Sequence, residues 1–149
     1  MAESHDLDEE ECLRLLKSGV FGRVALVGPS GPQIIPINYS VVNDSIVFRT
    51  TPYSLLGTYG RNAQMAFEVD HVDYEYGTGW SVVAQGRSDA ITDSRELDVI
   101  TSSWTPRPWA SGQRNAYFGL RWTELSGRRL GGSIDPGRDL PVDRRAARL

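Results

Sequence analysis

Between Arg23 and Leu125 the chain breaks into short apolar or alternating runs, each closed by a turn signal, and this rhythm limits the fold more than any other feature. Arg23-Val24-Ala25-Leu26-Val27 runs into Gly28-Pro29-Ser30-Gly31. A second run extends from Gln33 to Val42 and ends at Asn43-Asp44. Ser45 to Thr50 forms a third run, and Gln64 to Asp70 alternates apolar and polar residues. Trp80 to Arg87 and Tyr117 to Leu125 supply the fifth and sixth. Alternation with period two and Gly/Pro/Asn/Asp punctuation are the marks of antiparallel strands. Six strands meandering through about 105 residues favour a small barrel, because closure removes exposed strand edges. Pro36, inside the second run, has no N–H for a ladder and belongs at an edge or bulge.

Helices interrupt the strands. Asp8 caps the first, with Glu11 at its third position and Leu7 and Cys12 as a hydrophobic staple. Leu13, Leu16 and Val20 give it an apolar face, Leu15 broadens that face, and Gly19 stops it. Cys12 is then a packing residue. A short helix is expected over Ser54 to Tyr59. Another starts after Asp93, with Glu96 completing its cap, and runs to about Trp104. Trp104, Pro106, Pro108 and Trp109 either pack a loop over a pocket or cap the barrel core.

Composition removes several function classes. A length of 149 residues suits one domain. A net charge of −3 speaks against a nucleic-acid binder. The chain holds no run of about 18 apolar residues and its start is acidic, so neither a membrane span nor a signal peptide is expected, and the location is expected to be cytoplasmic. Cys12 is the one cysteine, which excludes an internal disulfide and a cysteine-rich metal site. His5 and His71 lie far apart, so no metal site is expected, and His71 reads as a surface or partly buried residue beside a strand end. No phosphate-loop, dinucleotide or acid–base motif is present, so catalytic residues are unassigned and any chemistry is expected from a bound cofactor.

One constellation points to a ligand. Arg49, Thr50 and Thr51 end a strand and lead through Pro52-Tyr53-Ser54 into a helix. An arginine, hydroxyls and a helix start together make a workable phosphate site. The same residues also suit a surface arginine followed by ordinary helix caps.

Gly22-Arg23, Pro36-Ile37-Asn38-Tyr39, Phe48-Arg49-Thr50, Ala66-Phe67-Glu68-Val69-Asp70, Gly79-Trp80-Ser81-Val82-Val83 and Ser126-Gly127-Arg128-Arg129-Leu130 occur in an order that resembles the pyridoxamine 5′-phosphate oxidase-like, FMN-binding split-barrel family. The likeness is to its small bacterial branch, which includes nitroimidazole-resistance proteins. The resemblance implies a mainly β chain with short helices, folded as a six-stranded antiparallel split β-barrel. It also implies a homodimer with FMN at the subunit interfaces. Arg49 and Thr50 would grip the phosphate, with Ser54 and Leu55 on the helix beside it. Pro36, Ile37, Asn38 and Tyr39 would line the isoalloxazine, largely with backbone. Trp80 and Ser81 would lie near the cofactor, and Arg128 would reach it late in the chain. Trp80 is equally a core aromatic, Asn38 a bulge residue, and Arg128 with Arg129 a solvated pair. The chain departs from the family at Leu55, where a phosphate-binding lysine is usual. Losing that contact costs about 1.5–3 kcal/mol, roughly tenfold to a hundredfold in affinity.

The implied activity is a flavin-dependent oxidoreductase acting on a small molecule that the sequence does not identify. The alternatives are a non-enzymatic flavin or ligand carrier, or a stress-related protein on the same scaffold, retaining no cofactor in the limit. A deazaflavin-dependent reductase would use Arg61, Arg87 and Arg114 as a basic groove. Neither nucleic acid nor membrane is an expected partner. An open barrel face, with residues such as Val82 and Phe67, is expected to pair with a second copy. Residues 1–130 are expected to form the FMN-binding domain and 131–149 a flexible tail, because the tail lacks aromatics and any period.

Overall fold

The structure is a computed structural model and describes residues 3–103 and 116–140. Its elements run β1 (Ser4–Asp6), α1 (Glu9–Ser18), β2 (Phe21–Gly28), β3 (Gly31–Asn38), β4 (Ser40–Val42), β5 (Ser45–Thr50), α2 (Leu55–Tyr59), β6 (Ala63–Asp73), β7 (Thr78–Ala90), α3 (Ser94–Ser103) and β8 (Ala116–Leu130). The strands form one antiparallel sheet in the order β3-β2-β6-β7-β8-β5-β4, with β1 added to the far end of β8. The sheet curls until β3 meets β5, giving the expected mainly β split barrel. Among the described residues no helix is long and apolar enough to cross a membrane.

Alternation sets which side chains enter the barrel. Val24 and Leu26 point inward from β2, Met65, Phe67 and Val69 from β6, and Trp80, Val82 and Ala84 from β7. Tyr39 and Phe67 pack with ring centroids 4.6 Å apart, and Phe48 stacks on Phe118 at 6.0 Å. Val82 and Phe67 are fully buried, so they are core residues and not the exposed face expected of them. The open apolar surface belongs to the opposite parity, where Val27 and Ile34 are each 71% exposed.

Asp8 caps α1 by accepting from the Glu11 N–H at 2.8 Å, and Cys12, Leu15 and Leu16 face the core. Leu7 and Cys12 meet over Gly127, where a Cβ would lie 2.7 Å from the Cys12 sulfur. Burial, then the nearby Asp8 carboxylate, raises the Cys12 thiol pKa, as suits a packing residue. Gly19 ends the helix in extended backbone, not the left-handed form its position suggested. Space is its reason: a Cβ there would lie 2.4 Å from the Tyr39 hydroxyl. At Asn43 and Asp44 the turn takes φ of 47° and 61°, the left-handed pair that a tight hairpin requires.

The second expected strand is two strands. Tyr39 turns inward between β3 and β4, donates its N–H to Val20 O at 3.0 Å and its hydroxyl to Leu16 O. β1 was not expected, since three acidic-flanked residues carry no readable period. It forms because β5 pairs with β8 only from Ala116 to Arg121, leaving the other end of β8 to β7 and β1. Pro36 lies on β3, the end of the sheet path, as its missing N–H demands.

Residues 131–140, at the start of the segment expected to be a flexible tail, make contacts with the barrel. Trp80 Nε1 donates to Asp139 O at 2.6 Å, and His71 Nε2 lies 3.0 Å from Arg138 O. Ile134 and Leu140 pack against the core, and the Asp139 side chain is buried. Residues 141–149 lie outside the described residues, as do Trp104, Pro106, Pro108, Trp109 and Arg114.

Candidate functional site

The junction after β5 has the form the sequence suggested, with one change in its chemistry. Ser54 caps α2, accepting from Gly57 N at 2.9 Å and donating to Thr51 O at 2.8 Å. Its single proton is thereby used. Thr50 Oγ1, 2.7 Å away, must therefore donate to Ser54 Oγ. Both hydroxyl protons serve the turn, and Thr50 can offer a ligand only its lone pairs. Arg49, half-buried, lies over the Tyr117 ring at 5.0 Å and carries the fixed positive charge of the junction. Leu55 packs against the β2–β3 hairpin, where its Cδ1 would lie 3.2 Å from a Cβ on Gly28.

β3 touches β5, and because β4 follows β3 and pairs with β5 from Ser40 opposite Val47, the Asn38 end of β3 is the one directed toward Arg49. Pro36 is exposed and Ile37 half-buried. Asn38 donates its amide to Val20 O at 3.3 Å. Tyr39 is wholly inside the core, so it offers no ring to a ligand.

The remaining expected residues separate. Trp80 is buried and bound to Asp139, which assigns it to the core. Ser81 faces the outside of β7, with Asp70 opposite it on β6 and Arg128 opposite it on β8. Arg128 is exposed, 3.7 Å from Asp6. From Arg128 to Tyr117, the partner of Arg49, is about 36 Å of extended β8. Arg49 with β3 forms one group, then, and Ser81 with Arg128 another.

A cluster that the sequence reading did not single out lies between them. On the outer face Pro36 pairs with Arg23, and Arg23 with Glu68. Arg23 donates to Glu68 Oε2 at 3.2 Å and lies 3.5 Å from Asp70 Oδ1. Burial first, then the neighbouring Asp70 carboxylate, pushes the Glu68 carboxyl up to about 7. Glu68 Oε1 is buried without a partner. The signal available in the sequence was two carboxylates at outward positions of an alternating strand. Only the ladder shows that an arginine stands beside them. Among the described residues no cluster of His, Cys, Asp or Glu suits a metal ion.

Residues 8–129 match the family model described as pyridoxamine 5′-phosphate oxidase. An uncharacterized protein of Mycobacterium tuberculosis is 32% identical over 97 residues, covering 62% of this chain and 64% of that relative. This alignment thus spans less than two-thirds of the relative's length. The FAD binding protein of Mycobacterium smegmatis has the same fold, with 28% identity, a TM-score of 0.66, and coverage of 85% of this chain and 98% of that one. A Corynebacterium glutamicum protein named after pyridoxamine 5′-phosphate oxidase aligns at 25% identity and TM-score 0.71, covering 87% and 96%.

Proposed function

We propose that this chain, which belongs to the pyridoxamine 5′-phosphate oxidase family, is a flavin-binding protein that takes FMN on the outer barrel surface and acts as an oxidoreductase on a small molecule. The observation that carries the reading is that the Asn38 end of β3 comes beside the Arg49–Thr50 end of β5, since β4 continues from β3 and pairs with β5 from Ser40 opposite Val47. A guanidinium there fits a phosphate, and a strand edge beside it fits a planar ring with polar edges. The FAD-binding relative supports a flavin on this scaffold. A bound flavin would supply hydride and electron transfer. The chain would supply the charge at Arg49, the backbone of β3, and the Arg23–Glu68–Asp70 cluster along the same face. Because this surface is open, a second copy is proposed to cover it.

With both hydroxyl protons engaged and leucine at position 55, one guanidinium does most of the phosphate binding. That favours a second reading, a carrier that exchanges its flavin readily. One experiment tests both. The protein is incubated with FMN, desalted, and its visible spectrum recorded. Retained flavin bands with reduction by a nicotinamide donor support the oxidoreductase. Bands lost on desalting but measurable by equilibrium titration favour the carrier. No flavin binding by either method rejects the flavin reading.

A further inference from the structure

β2 and β6 pair only over Arg23–Ala25 and Ala66–Glu68, although β2 continues to Gly28 and β6 begins at Ala63. Past that point the sheet splits, and a cleft of about 220 Å³ opens on the outer face. Its floor is Leu26 and Met65, side chains otherwise enclosed in the barrel, and its walls include Ala25, Val27 and Ala66. None of the described residues lining it is charged. Ile34 stands one strand away on β3, opposite Ala25, and projects from the same face.

One row across the sheet therefore reads Ile34, Ala25, Ala66: a protruding branched side chain, a flat step and a hollow. A knob and an apolar hollow side by side make a surface complementary to its own copy, which is what a twofold contact requires. Two sheets packed face to face have that axis in the plane between them. For each Ile34 to meet the other copy's hollow, the axis runs midway between the two, along β2 at Ala25, where a methyl side chain permits close approach.

The charges agree with this register. Phe21 and Val27 then face their own copies, and Pro36 faces Glu68, since both flank Arg23 in the ladders. Arg23 is also brought near its own copy, but each brings Glu68 and Asp70 with it, at 3.2 and 3.5 Å. The chain as a whole carries a charge of −3. Two copies therefore repel except through a region such as this, where charges are absent or already paired.

We propose that the outer face is completed by a second copy of this chain, with the Ile34 side chain of each protomer seated in the β2–β6 cleft of the other. This rests on the reading of that face as an interface between two copies, and it does not require a flavin.

The test is an exchange of sizes. Ile34→Ala empties the partner's cleft, and Ala66→Leu fills the cleft from within. Each variant alone is expected to dimerise at least tenfold more weakly than the parent in sedimentation. Mixed in equal amounts, the two are expected to regain the parent's dimer. The mixed pair has one parental contact and one in which the added leucine replaces the lost isoleucine. In one chain the two positions stand about 10 Å apart, two strand spacings, and a folding defect confined to either chain is not repaired by mixing. A second measurement needs no variant. Parent chains labelled at isoleucine methyls are mixed with parent chains labelled at methionine methyls, and a nuclear Overhauser effect between Ile34 and Met65 is expected. A dimeric parent that lacks this signal, or a mixture no more dimeric than its components, overturns the proposal and leaves the dimer reading standing. A parent that is monomeric at micromolar concentration overturns both. Met65 contacts to a co-purified small molecule in place of Ile34 also overturn it, and identify the cleft as a ligand site.

Discussion

Glu68 stands on the outside of β6, yet one of its carboxylate oxygens is buried without a partner while the other holds Arg23. Its folded pKa of about 7 lies above the ordinary 4.5, so between these values the native state keeps a proton that the unfolded chain releases. Stability is therefore greatest below the unfolded value, falls as pH rises through this window, and levels above about 7. With 30% of the Glu68 side chain still exposed, the expected loss is about 1 kcal/mol, well below that of a fully buried carboxyl. Urea unfolding at pH 4.5 and 7.5 reads this directly, and Glu68→Gln should flatten the difference. Rising stability across the same window in the parent protein would contradict the assignment. Arg49 invites a second test. Arg49→Ala should weaken FMN by about 2 kcal/mol, or roughly 30-fold. Leu55→Lys should tighten it, because a lysine stem can keep the contact with β2 while its ammonium reaches toward the anion. If both variants titrate with FMN as the parent does, the phosphate is not at this junction.

At the scale of elements, what could be read from the sequence followed from local periodicity, and what could not followed from distant partners. The alternation in β6 and β7 and the cap at Asp8 are local, and each forms as read. Tyr39 breaks the second strand because its hydroxyl reaches the end of α1, a contact invisible in a run of β-forming residues. The junction at Arg49, Thr50 and Ser54 was legible as a group because its members are neighbours in sequence. Its proton inventory was not, since that depends on hydrogen-bond directions. The residues after Leu130 looked featureless for the same reason as Tyr39 looked ordinary: their partners, Trp80, His71 and Asp73, are on β6 and β7. Arg138 binds the Asp139 carboxylate at 3.0 Å, which holds that carboxyl below its usual range. A truncation after Leu130 should therefore cost about 3 kcal/mol, since it removes two apolar side chains and the partner of a buried indole. The melting temperature should fall by several degrees and Trp80 emission should shift to the red. An unchanged melting curve would show that this segment contributes nothing.

For the whole molecule, the outer face combines exposed apolar side chains with an ion-pair cluster. It exposes Val27 and Ile34 to 71% each, with Phe21 partly exposed at the other end of β2, and it places the Arg23–Glu68–Asp70 cluster between them. Contiguous apolar surface of this kind on a small chain usually marks an interface. The free edge of β3 limits how a partner can dock. Pro32 and Pro36 deny donors at two positions of that edge, so strand-to-strand addition is disfavoured and face-to-face packing is left. A twofold dimer packed through this face would also shelter the surface beside Arg49 where flavin is proposed to bind. Sedimentation at micromolar concentration should give a dimer. Ile34→Glu, which puts a charge into the middle of the face without touching the core, should shift it toward monomer and weaken flavin binding in parallel. Flavin affinity that stays constant while the dimer dissociates would mean the site is complete in one chain. A parent protein that sediments as a monomer at these concentrations would remove the proposed assembly altogether.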